Sequence, residues 1–272
     1  MEPEHETQRQ TYQLTRLGFA ILSLSLLVAC VTEVLGLIAL FGGSALVARI
    51  VNLWWWRWTG TPVVWGCLIG TYLLWARWTD KGWQRRVGLL IVMSLVDVVL
   101  WALSHGDELA LQVGDVGHRW LRYNLGQALG WAEFALLASL AGDVMAHLGV
   151  EKAREASKST RSLAATGAVV WMLLFCQLTA WSRGWPLQGH AIDRSLETLL
   201  LYLGSTMIWT ITLIQVTALS FAATRETTRA LAEMDLEDRG DDLFHSPSES
   251  HDDLLPTPYH PRSRDRHDPH HH

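Results

Sequence analysis

From Leu17 to Phe41 the chain runs for 25 residues with one charged side chain, Glu33. An α-helix advances ~1.5 Å per residue and the hydrocarbon core of a bilayer is ~30 Å thick, so about 20 apolar residues suffice to cross it. Four more runs of this kind, and a shorter one flanked by Trp, follow before Ala223. In lipid a backbone N–H or C=O has no water to bond, so such runs must satisfy themselves as helices. The expected fold is therefore all-α, a polytopic integral membrane helical bundle. About six transmembrane helices are expected, at 17–41, 61–78, 87–104, 123–148, 163–182 and 196–222. Averages hide this, since 49% apolar and 18% charged residues are ordinary values. What differs is that charge and apolarity are segregated along the chain.

Local signals mark the boundaries. Thr61-Pro62 supplies a cap followed by Pro at the first helical position, where its missing N–H costs nothing. Asp80-Lys81-Gly82 precedes the third run and Ser104-His105-Gly106 ends it; Gly184 and Pro186 stop the fifth. The flank 1–16 is long and contains acids, and the first apolar run exceeds the ~7–15 residues of a signal-peptide core, so a retained helix is expected. The three cysteines, Cys30, Cys67 and Cys176, all lie in apolar runs without metal or redox spacing.

Lys and Arg set the orientation, because cations are held on the cytoplasmic side. Arg9, Arg16, Arg77, Lys81, Arg85, Arg86, Lys152, Arg154, Lys158, Arg161, Arg225 and Arg229 fall on one side. Arg49, Arg57, Arg119, Arg122, Arg183 and Arg194 fall on the other. This twofold bias alternates with six crossings and places both termini in the cytoplasm, in a plasma or inner membrane. Residues 1–16 then form a cytoplasmic segment, 17–223 the transmembrane domain, and 224–239 a short cytoplasmic helical extension. The stretch 240–272, rich in Pro, Ser, Asp and His, has too few apolar residues to offset ordering and is expected to be disordered. Its HSPSES and LLPTPYHP segments suit a cytoplasmic partner. The net charge of −5 suggests no nucleic-acid partner.

The segment VNLWWWRWTG holds Trp54, Trp55, Trp56 and Trp58 around Arg57. Adjacent residues on a helix diverge by ~100°, so the four indoles cannot share one face. Indoles concentrate at the headgroup boundary, where ring and N–H find different partners. Residues 44–58 therefore read as an interfacial or shallow re-entrant helix, with Arg57 near phosphates or an indole.

Polar groups at membrane depth carry the functional information, since each costs free energy unless it faces protein or water. Glu33, Asp97, Glu133 and Gln177 all fall roughly 3–8 Å to the outer side of the midplane of their spans. The spans supply no Lys or Arg at that depth. Low dielectric disfavours the charged form of a carboxyl group, so these residues suit a proton-titrating or cation-coordinating cluster. The bland alternative is hydrogen-bonded glue between helices. In the fourth span Gly126, Gly130, Ala135 and Ser139 form a small-residue face suited to close helix packing, within the bundle or against another copy or partner.

No cofactor is expected. No two His lie deep in different spans, which argues against haem, and the absence of Lys from the spans argues against retinal. His105, His118 and His190 are outer-side metal candidates on irregular, loop-borne spacing. No GxSxG, HExxH, P-loop or GxGxxG motif occurs, so enzymatic activity is not expected. Two functions fit: a proton- or cation-linked channel or transporter component, or a non-transporting scaffold or accessory subunit whose tail recruits partners.

Overall fold

The structure, a computed structural model, describes residues 3–42, 58–75, 81–109, 116–181 and 196–244, with side chains over 6–38, 58–75, 81–103, 124–175 and 200–236. The described residues are all-helical, without strands. The six helices are α1 (Pro3–Gly42), α2 (Gly60–Leu74), α3 (Lys81–Leu109), α4 (Val116–His147), α5 (Glu151–Trp181) and α6 (Leu196–Phe244). The chain divides into two units, 1–233, which holds the bundle, and 234–272, which is helical to Phe244 where described.

Each of the six apolar runs falls on a helix, but the helices overrun them. α1 begins at Pro3, so most of the segment expected as a separate flank is helical, and α6 continues without a break to Phe244. Four stretches are long and apolar enough to cross a membrane: Glu6–Ile38, Lys81–Leu103, Asn124–His147 and Leu200–Leu236. α2, at 15 residues, is a shorter apolar helix of ~22 Å. α5 opens with the charged turns Glu151–Arg161 before its apolar half. Trp54, Trp55, Trp56 and Arg57 lie outside the described residues; Trp58 is exposed just before α2.

The helices are apolar on two faces. On α1, Phe19, Leu22, Leu26 and Cys30 are buried, whereas Leu17, Leu24, Val31 and Ile38, spaced by seven, are 39–59% exposed with their neighbours Leu27 and Val34. α3 repeats this, with Trp83, Val87 and Leu90 inside and Leu89, Val92, Leu95 and Val99 outside. A helix hydrophobic all round matches a lipid surround rather than a water-facing surface. Lipid gives no hydrophobic drive between helices, so fit and interhelical hydrogen bonds must hold the bundle together.

The closest fit joins α1 to α2. A Cβ at Gly70 would stand 3.0 Å from the Gly18 carbonyl oxygen and 2.6 Å from Leu22 Cγ, and a Cβ at Gly66 would strike Ser25. The Gly66-to-Gly70 step (GCLIG) thus lets two backbones touch. α4 and α5 are joined by a tight turn in which Gly149 adopts φ +80°. The Val150 N–H donates to Met145 O at 2.9 Å and the Gly149 N–H to Ala146 O at 3.1 Å, which satisfies the last carbonyls of α4. Ser157 then donates to Ala138 O at 2.6 Å across that hairpin. Trp83 Nε1 caps α2 by donating to Leu74 O at 3.0 Å, so this indole is 2% exposed and not an interface anchor.

Neighbouring helices pack in chain order from α1 to α5, and α6 joins through side chains rather than backbone approach. Thr160 donates to Gln215 Oε1 at 3.1 Å, linking α5 to α6, and Cys30 Sγ lies 3.4 Å from Thr217 Oγ1, linking α1 to α6. Phe19, Leu22, Leu90, Leu140, Val144 and Val216 belong to one buried apolar core.

Gly70→Leu should therefore overpack the α1–α2 contact and cost ~1–3 kcal/mol, read as a lower melting temperature of the purified chain. Gly36, with nothing within 4 Å of its added Cβ, should accept Ala with little change.

Candidate functional site

Above the apolar core the bundle opens into a cavity of about 370 Å³. Five helices line it. α1 contributes Leu26, Ala29, Thr32 and Glu33, and α2 contributes Thr59, Gly60, Val63, Val64 and Cys67. α3 adds Ser94, Asp97 and Leu100, α4 adds Gly126, Gln127, Gly130, Glu133 and Phe134, and α6 closes it with Trp209 and Leu213. Helical spacing explains these sets. Ser94, Asp97 and Leu100 recur every third residue, and Gly126, Gly130 and Glu133 fall at i, i+4 and i+7, so each set occupies one face.

Glu33, Asp97 and Glu133, from three different helices, thus share one wall-to-wall space. Ser94 Oγ donates to Glu133 Oε1 at 3.1 Å. The Asp97 and Glu133 carboxyl groups border the same space, and two carboxyl groups that bond to each other must hold a proton between them, because an ionised carboxylate only accepts. Glu33 borders the same space and is faced by the Trp209 indole N–H, which is shut off from solvent. Neither Lys nor Arg appears among the described lining residues.

Gln177 lies on α5, with its side chain outside the described residues. Of the outer histidines, His105 and His118 lie on helical backbone without described side chains, and His190 falls outside the described residues. Among the described residues no three of His, Cys, Asp and Glu stand close enough to hold a metal ion.

The small-residue face of α4 serves four different purposes, and helix-on-helix contact at the glycine step is not among them. Gly126 borders the cavity with nothing within 4 Å of an added Cβ. Gly130 makes room for a ring: an added Cβ would strike the Trp209 Cη2 edge. Trp209 then packs edge-on against Trp131, with centroids 5.0 Å apart, and against Phe134 at 4.7 Å. Ala135 packs against the core, and Ser139 accepts a hydrogen bond from Arg86 Nη1 at 2.7 Å. Arg86 also pairs with Asp143 at 2.6 Å, tying α3 to α4 at the closed end.

Sequence reasoning missed Ser94, Cys67, Gln127, Phe134 and Trp209 as lining groups, and Arg86 as the partner of Asp143. Only Trp209 left a trace: a large ring needs a glycine opposite, and Gly130 was visible. The partner of a small residue cannot be chosen from spacing alone.

Two substitutions separate the roles of the glycines. Gly130→Ala should displace Trp209 and destabilise by ~1–3 kcal/mol, whereas Gly126→Ala should fit into open space. Equal melting temperatures for the two variants would contradict this packing. At the closed end, a double-mutant cycle on Arg86 and Asp143 should give a coupling of ~0.2–1 kcal/mol, the ordinary range for a partly exposed pair.

The chain matches no protein-family model, no curated protein and no solved structure.

Proposed function

We propose that this protein is a proton- or cation-linked channel or transporter component of the plasma or inner membrane, and that the cavity is its working site. One observation carries the reading: carboxyl groups from α1, α3 and α4 line a single cavity in an otherwise apolar bundle. Isolated carboxyl groups buried for packing alone have no reason to converge at one depth. Intramembrane acids facing a shared cavity are what a proton or ion pathway uses.

In this reading all six helices cross the membrane, α2 and α5 with the four longer ones, and both termini face the cytoplasm. The cavity then faces the outer half, with Thr59, Gly60 and Gly126 toward the outside and the apolar core closing the cytoplasmic end. The Trp54–Trp58 segment lies at the outer interface, and the tail beyond the bundle is free to recruit a cytoplasmic partner. A further copy or membrane partner docks along α4. Protons exchange at the Asp97–Glu133 pair, where one shared proton moves between two acceptors, and Glu33 supplies a second acceptor across the cavity.

A scaffold reading has its own support in the Ser94–Glu133 bond, which joins α3 to α4 as structural glue does. Flux separates the two. In liposomes carrying the purified chain and an internal pH dye, Glu33→Gln, Asp97→Asn and Glu133→Gln should each slow acid-driven flux by about tenfold, equivalent to ~1.4 kcal/mol of barrier. Helical content and membrane insertion should persist in all three. Wild-type flux in every neutral variant, or no flux in the parent, leaves the carboxyl groups as packing elements.

A further inference from the structure

The cavity is much larger than a proton or a bare metal ion requires. Its volume of about 370 Å³ falls within the range of small-molecule sites, ~300–1,000 Å³. Its walls are of two kinds. Carboxyl groups occupy two sides, while the rings of Trp209 and Phe134, tilted 50° to each other, form a corner between them. Leu26, Val63 and Leu100 complete the apolar part. Aromatic faces carry negative quadrupole charge, and carboxylates carry full charge, so both attract a cation. Apolar walls reward a cation that has hydrocarbon surface of its own.

A coordinated metal needs something different. Ca²⁺ or Mg²⁺ takes six or more oxygens at ~2.0–2.6 Å. The described residues bring no such trio of acids together, and Glu133 already accepts from Ser94.

The Trp209 indole N–H is shut off from solvent and faces Glu33, so what this side chain offers an occupant is aromatic surface and not a free donor.

Resting on the reading of this cavity as a cation-linked site, we infer that its occupant is a small organic ammonium ion. The ammonium head lies among Glu33, Asp97 and Glu133 with its alkyl groups on the Trp209 and Phe134 rings. Binding such a cation displaces a proton from these carboxyl groups to solvent, so the charge of the cavity is conserved when one replaces the other. This exchange couples ammonium to proton without any further group.

Choline serves as the probe, because 3,3-dimethylbutan-1-ol has the same shape without the charge and tetramethylammonium has the charge without the hydroxyl. Calorimetric titration of the full chain in lipid nanodiscs should show choline binding at least about tenfold tighter than the neutral isostere, with about one proton released per choline, counted from the buffer dependence of the heat. Glu33→Gln should weaken choline by about tenfold. Trp209→Leu, which keeps apolar bulk at Gly130 but removes the aromatic face, should weaken choline and tetramethylammonium alike. Equal binding of choline and its isostere overturns the inference, as does no choline binding, or Mn²⁺ binding lost in the same neutral variants. Acid-driven flux measured without any ammonium ion separates the two levels. Flux without choline binding overturns this inference alone, whereas no flux and no effect of the neutral variants removes the underlying reading as well.

Discussion

The seating of Trp209 on Gly130 is the contact on which the rest of the bundle depends. A ring of that size between α4 and α6 keeps their backbones from closing as α1 and α2 do at Gly18 and Gly70. On one side the ring lines the cavity; elsewhere it packs against Trp131 and Phe134. One turn further along α6, Leu213 and Val216 join the apolar core that shuts the bundle. A single aromatic wedge therefore sets both the width of the open end and the start of the closed one. Trp131 in turn rests over Gly167, where an added Cβ would meet its ring, so the wedge extends from α6 through α4 to α5.

Glycine has two physical uses here. Gly18, Gly66 and Gly70 allow close helix approach, the familiar use of small residues where lipid supplies no hydrophobic drive. Gly130 and Gly167 instead act as sockets for indoles. The distinction matters because a socket holds helices apart at a fixed distance. In a medium as apolar as the side chains themselves, shape is the main means of defining such a distance. A cavity survives in a membrane bundle only where something rigid prevents collapse.

Much of the helical layout was legible because it rests on one-dimensional facts, apolar run length and the depth of each charged residue. The local cap and stop signals failed, since α2 starts at Gly60 with Thr61 and Pro62 inside it and α3 runs through Ser104-His105-Gly106 to Leu109. The convergence of Glu33, Asp97 and Glu133 was readable for the same reason, since helices crossing one slab bring equal depths to one level. Which helix faces which is a two-dimensional question that spacing does not answer. Asp143 binds Arg86 on α3, a partner that no spacing along α4 announces, and the Tyr12 ring of α1 lies 6.5 Å from that of His147. Tryptophan misleads in another way. Its preference for the interface is an average over two properties, and Trp83, Trp131 and Trp171 follow its bulk into the protein instead, each 9% exposed or less.

The carboxyl groups of this bundle meet two different fates, and the contrast explains why only one group of them is suited to exchange. Asp143, half exposed at the closed end, has a guanidinium 2.6 Å away. An Arg remains charged at every accessible pH, so that pair is permanent and its role is to hold α3 against α4. Glu133, deeper in the bundle, accepts from the Ser94 hydroxyl and shares its cavity with two other acids. On the proposed reading the positive counterpart there is a proton, which can leave and be replaced, where a fixed cation would hold the site in one state. The two arrangements lie on the same pair of helices about ten residues apart, ~15 Å along the axis. The same reading has the lower half of the bundle keep one arrangement while the charge of the cavity above it changes.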